Sequence, residues 1–264
     1  MATRPSLPNM AVYSQDDLFG TPEPPAAPKP AAPDEKREKL RLIHARLCKE
    51  YGCPVAYFHE LSPLDEIVSS LLSHRTRNSE SGAAYKELRR RFSDWVAVRD
   101  APVADVQDAI KTCNWPEQKA PRIQLILRLI TEKRGGELSL DFLGDLSVRE
   151  ARDWLETLPG VGPKTSAAVL IFSGLRGRAL PVDSHHHRVA QRLGLIPMSL
   201  DVGPAHAVLE AMLPDEWDAQ EVYDDHEILM FHGQRCCYYR APECERCTLL
   251  DLCPDGQERM ARRR

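Results

Sequence analysis

At 264 residues, 42% of them hydrophobic, the chain is long enough for one large globular domain or two small ones. Its longest apolar run, AAVLIF from Ala167 to Phe172, is too short to span a bilayer, and the N-terminus lacks the basic-then-apolar layout of a secretion signal; a soluble, cytoplasmic protein without a membrane partner is expected. A formal net charge of −4 at pH 7 argues against a pervasive basic field for nucleic acid and leaves only local patches for that purpose.

Residues 1–35 hold eight prolines, in runs such as TPEPPAAPKPAAP, with little to bury, which predicts a disordered, partly polyproline-like tail. Within it, Gln15 to Phe19 (QDDLF) resembles the short peptides that bind bacterial sliding clamps, with Leu18 and Phe19 as anchors. From about Glu35 onward the pattern is helical. Ser62-Pro63 starts a helix as cap and first-turn proline, with Leu64, Ile67, Val68, Leu71 and Leu72 on one face. Val106, Ala109, Ile110 and Cys113 trace a second stripe; Ile123, Ile126, Leu127 and Ile130 trace a third, stopped by Gly135-Gly136. Ser147 and Glu150 form a capping box ahead of Ala151, Trp154, Leu155 and Leu158. No period-2 segment is bounded by hairpin turns, so the body is expected to be all-α.

Three segments carry chemistry. In LPGVGPKTSAAVL, a helix, a Gly-rich hairpin and a second helix leave the N–H groups around Gly160 and Gly162 at a positive helix end, where a phosphate can approach; Pro163 suits the first helical position. On its own, this turn favours a solvated first-turn role for Lys164. In PVDSHHHRV, Asp183 precedes a helix ending near Gly194, and its default role is the N-cap. Successive residues on a helix diverge by about 100°, so His185, His186 and His187 do not readily share one ion. At the C-terminus, Cys237, Cys244, Cys247 and Cys253 are separated by six, two and five residues, a metal-ligand spacing compatible with zinc or an iron–sulfur cluster. Cys236 falls outside this set, and Cys48, Cys53 and Cys113 read as buried small hydrophobes.

Together, LPGVGPKT, VDSH followed by Arg188-Val189, His232-Gly233 and the four-cysteine spacing resemble the endonuclease III family of the helix-hairpin-helix DNA glycosylase superfamily, from about residue 36 to the last cysteine. The resemblance implies a six-helix barrel domain with the hairpin, residues 56–176, and an iron–sulfur cluster domain from residues 36–55 and 177–264, flanking a DNA-binding cleft. It implies a [4Fe–4S] cluster on the four cysteines and a base-excision-repair glycosylase with AP lyase activity, working as a monomer on oxidised pyrimidines in damaged duplex DNA. Lys164 would be the nucleophile and Asp183 its partner, with DNA contacts from Arg75, Asn78, Trp115, Gly160, Gly162, Thr165 and His185.

The chain departs from the family in places. Arg75 stands where a glutamine is usual, Asn78 where an aspartate is common, and Trp115 where an aliphatic wedge is frequent. His186 and His187 replace apolar residues, and the spacing from Lys164 to Asp183 is one residue longer than usual. A lysine at position 164 argues against the adenine-mismatch branch. These changes touch recognition, which leaves a second reading: a DNA-binding family member with altered substrate range or little turnover.

Overall fold

The computed structural model describes residues 34–263; the tail and its Gln15–Phe19 segment lie outside these residues. The described part is all-α, with twelve α-helices and no strand, only an isolated bridge between Leu61 and Ser173. Helix α1 (Asp34–Tyr51) takes in the last two residues of the tail expected over 1–35, because Asp34 and Glu35 form its acidic first turn. It buries Leu40, Ile43 and Leu47.

Helix α2 (Pro63–Ser73) starts where Ser62 accepts a hydrogen bond from the Asp65 N–H, and the expected stripe is buried. Next come α3 (Asn78–Arg91), α4 (Trp95–Asp100), capped by Asp94, and α5 (Val103–Ala109). The stripe that ends α5 outlasts the helix: Ile110 and Cys113 are buried in the turns beyond it. Helix α6 (Pro116–Lys133) buries Ile123, Ile126, Leu127 and Ile130 and stops before Gly135, whose φ is +65°. Helix α7 (Val148–Glu156) carries the capping box, and α8 (Pro163–Phe172) begins at Pro163. The remaining helices are α9 (Ser184–Arg192), α10 (Val202–Glu210), α11 (Ala219–Arg235) and α12 (Pro254–Arg262).

Two hydrophobic clusters organise these helices. One, with Ile67, Leu72, Leu88, Ile123, Leu127 and Leu155, draws on α2 to α8. The other joins α1 to the C-terminal part through Ile43, Leu47, Val189, Leu193, Leu229 and Leu249. Full burial of such side chains contributes about 1.5–3 kcal/mol each, so each cluster is a core in its own right. The chain passes from the second cluster to the first between α1 and α2 and returns between α8 and α9. These crossings are stitched together: the Gly174 N–H donates to Leu61 O at 2.8 Å, and Arg176 donates to His59 O at 3.2 Å while its guanidinium lies over the Tyr57 ring.

One sequence expectation fails. Cys48 and Cys53 are not separate buried hydrophobes; they are half-buried and joined as a disulfide, because the turn after α1 folds Cys53 back to a Cα–Cα distance of 5.0 Å from Cys48. Cys113 is buried, as expected.

Candidate active site

The hairpin between α7 and α8 is built by backbone geometry. Gly160 has φ of +84°, a left-handed conformation that L side chains rarely adopt, and the Arg122 side chain packs against it where a Cβ would come within 3.1 Å. Gly162 is the N-cap of α8 and carries no side-chain cap, so the positive end of this helix is open to an anion. Lys164, partly buried, sits in the first turn. Thr165 is buried beneath it, and its Oγ1 lies 3.0 Å from His74 Nε2, so it braces the hairpin against the turn after α2.

That turn shares a cavity of about 550 Å³ with Lys164: Leu71, His74, Arg75, Trp115, Lys119 and Arg122 are among its walls. Arg75 and Trp115 both adopt positive φ, at 49° and 55°. Trp115 is 45% exposed, which rules out a core indole and leaves its ring at the cavity rim. Of the other candidate contacts, Asn78 is exposed at the start of α3 and His185 lies on α9; neither lines this cavity.

Asp183 caps α9, its Oδ1 accepting from the N–H groups of His185 and His186 at 2.9 and 2.7 Å. Burial disfavours its charge, but His226 and the His186 N–H outweigh this and hold its pKa below the usual aspartate value. Burial drives His226 down to about 4, leaving it neutral at pH 7 with Nδ1 against Pro181 O at 2.7 Å; at that pH the N–H donors keep Asp183 ionised. The charge of Lys164 acts on both His226 and Glu66, buried groups on the aspartate side and in α2 respectively. The three histidines diverge as expected: His185 pairs with Arg188, His186 stacks on His226, and His187 reaches Leu200 O.

Several groups here escape a sequence reading. Glu66 is buried in α2 with its carboxyl raised to about 8 by burial, and burial likewise lifts Glu227 to about 7. Burial and the neighbouring Lys164, Lys119 and Arg122 push His74 down to about 4. Lys119 donates to Leu72 O, His74 O and Thr76 Oγ1 at 2.6–2.9 Å, fixing the turn that carries Arg75. The only sequence signal for it was a lysine one turn ahead of the Ile123 stripe.

Cys237, Cys244, Cys247 and Cys253 line one pocket, together with Arg192, His232 and Cys236. The surroundings suit thiolates: Arg192 donates to Cys237 Sγ at 3.2 Å and the Gly256 N–H to Cys253 Sγ at 3.3 Å. His232, Cys236 and Cys247 also lie close enough to share an ion, so the centre is a cysteine-rich candidate metal site, and four thiols lining one pocket are the donor type that an iron–sulfur cluster takes. Arg188 and Arg192 tie α9 to the carbonyls of Cys237, Tyr238 and Tyr239, holding the loop that includes exposed Arg240. Gly233 in the His-Gly pair permits this packing: a Cβ there would come within 2.8 Å of the His185 Cβ.

Comparison with known proteins follows the same lines. Residues 68–208 match the model of the HhH-GPD superfamily base excision DNA repair protein. The chain is 32% identical over 202 residues to endonuclease III of Bacillus subtilis, covering 75% of this chain and 84% of that protein. It is 29% identical over 218 residues to endonuclease III of Escherichia coli K12, covering 83% and 95%. The fold superposes on a solved non-covalent endonuclease III–DNA complex with a TM-score of 0.71 at 24% identity, covering 85% of this chain and 98% of that one.

Proposed function

The chain belongs to the endonuclease III family of the HhH-GPD superfamily and is thus a base-excision-repair DNA glycosylase, and on that premise we propose that it is bifunctional, removing oxidised pyrimidines of the thymine glycol type from duplex DNA and nicking the strand through a Lys164 Schiff base. The observation that carries this reading is the placement of Lys164 in one cavity with Arg75 and Trp115, beside an uncapped helix N-terminus and in electrostatic reach of the His226–Asp183 pair. The hairpin grips a phosphate of the damaged strand, the lesion leaves the stack, and Arg75 or Trp115 fills the gap. The Lys164 amine attacks C1′ and gives up a proton as the base departs protonated, the C1′–O4′ bond opens to leave an imine, and loss of a C2′ proton then eliminates the 3′ phosphate before water hydrolyses the imine and releases the enzyme. Asp183 stabilises positive charge developing on the sugar. Cys237, Cys244, Cys247 and Cys253 would hold a [4Fe–4S] cluster, whose contribution is to cross-link the loop beside α9. That solved relatives were captured on DNA supports damaged duplex DNA as the partner.

Borohydride reduction on abasic-site duplex tests the assignment. Wild type becomes covalently linked to the DNA, whereas Lys164→Ala does not link but still binds the duplex. Asp183→Asn retains an N-cap oxygen, so it folds while its turnover falls by about 10²-fold or more. Trapping of Lys164→Ala at the wild-type level would assign the chemistry to another amine; tight binding of thymine glycol duplex with no product from wild type would favour a binding protein with little turnover.

A further inference from the structure

A second group of metal-ligating side chains lies at the far end of α1, apart from the four spaced cysteines. His44 and Cys48 stand one helical turn apart on that helix, and the turn after it returns Cys53 to them, so that His44, Cys48 and Cys53 each offer a ligand atom within 4.8 Å of the others. His44 Nε2 lies 3.3 Å from Cys48 Sγ. Its other nitrogen, Nδ1, faces Asp225 Oδ1 of α11 at 3.4 Å, and the Trp217 ring packs on the imidazole at 4.3 Å between centroids. Asp225 is 1% exposed, and its Oδ2 has no hydrogen-bond partner among the described residues. A buried carboxylate aimed at one nitrogen of a histidine whose other nitrogen faces sulfur is the arrangement that orients an imidazole toward a metal.

We infer that Cys48, Cys53 and His44 Nε2 form a zinc site when the Cys48–Cys53 disulfide is reduced, with Asp225 holding the imidazole from behind. Two thiolates and an imidazole are zinc ligands, and the half-buried position of all three leaves the fourth tetrahedral place to a water. They are too few in thiols for the four-cysteine ligation of an iron–sulfur cluster. A dithiol reductant passes two electrons to the Cys48–Cys53 bond and itself becomes a disulfide; the two thiols formed give up their protons to solvent as Zn²⁺ takes both sulfurs. The pair thus has two closed states, disulfide and zinc dithiolate, each tying the end of α1 to the turn before α2.

The test uses the full-length protein with its iron complement measured beforehand. One portion is reduced anaerobically with a dithiol, a second is left oxidised, and both are mixed with zinc chloride, desalted over a chelating resin and analysed for zinc and iron. The reduced protein should retain one additional zinc per chain, and the oxidised protein none, with iron equal in both. Cys48→Ser and Cys53→Ser should each lose this zinc, and Asp225→Asn should weaken its binding by about 10–100-fold. Alkylation gives a readout that needs no variant: in the reduced wild type, zinc should protect Cys48 and Cys53 from iodoacetamide. No zinc beyond that of the oxidised protein, equal zinc in the serine variants, or unchanged alkylation would each overturn the inference.

Discussion

Trp115 and Glu66 make opposite demands on their surroundings. Trp115 is a large apolar ring left 45% exposed at the end of a left-handed turn, where it contributes little to the core. Trp115→Ala should therefore leave the melting temperature nearly unchanged and weaken binding to abasic-site duplex by about 1–3 kcal/mol, the range for loss of base stacking on an aromatic ring, as a fluorescence titration would show. A large loss of stability with unchanged affinity would return the ring to a structural role. Glu66 is the reverse case, a carboxyl buried beside His59 Nε2 at 3.2 Å and near Lys164. Burial, opposed by Ser70 and Lys164, raises its pKa from 4.5 to about 8. Between those values the native state binds more protons than the unfolded chain, so this group's contribution to stability falls as pH rises through that window. Glu66→Gln should remove that fall: its melting temperature should exceed that of wild type at pH 8, and the difference should vanish near pH 4. Parallel pH profiles for the two proteins would contradict this.

Within single elements, the hairpin separates two glycines that the sequence presents as equivalent. Gly160 needs its positive φ, and any side chain there meets Arg122, so Gly160→Ala should destabilise the fold by about 1–2 kcal/mol. Gly162 has an ordinary φ of −111° and open space where a Cβ would stand. Gly162→Ala should keep the melting temperature and reduce affinity for duplex DNA, since the methyl group occupies the phosphate's approach; wild-type affinity would remove the phosphate from this helix end. Helix starts were legible in sequence because caps act locally: Ser62, the Ser147–Glu150 box, Pro163 and Asp183 all stand where the pattern placed them. What one face of a helix does not reveal is burial on the others. Helix α2 is enclosed by α3, α6 and α8, so Glu66 and Ser70 are buried outside its apolar stripe. Lys119 was equally hidden, because its partners are carbonyls of a turn more than forty residues earlier in the chain. The Cys48–Cys53 pairing depends on how the chain turns after α1, which no residue pattern specifies.

At the scale of the whole molecule, the cysteine centre serves the second hydrophobic cluster, which includes Cys253 and packs against Cys237 and Cys247. On the proposed cluster assignment, Cys247→Ser should lower the iron content of the purified protein and speed amide hydrogen exchange in α9, α11 and α12, while α2, α6 and α8 keep their protection. Uniform loss of protection in both groups of helices would show that the clusters unfold as one. The paired crossings bear on motion and on cleavage. Two segments joined by a single strand of chain can swivel freely, but here two strands run together and are fastened by Leu61, Gly174 and Arg176. Together with the packing of α8 against α10 and α11 and the Arg152–Glu210 ion pair, they resist twist between the two clusters more than a single connection would. By the same construction, a protease that cuts one crossing leaves the other intact, so a singly nicked molecule should migrate as one particle.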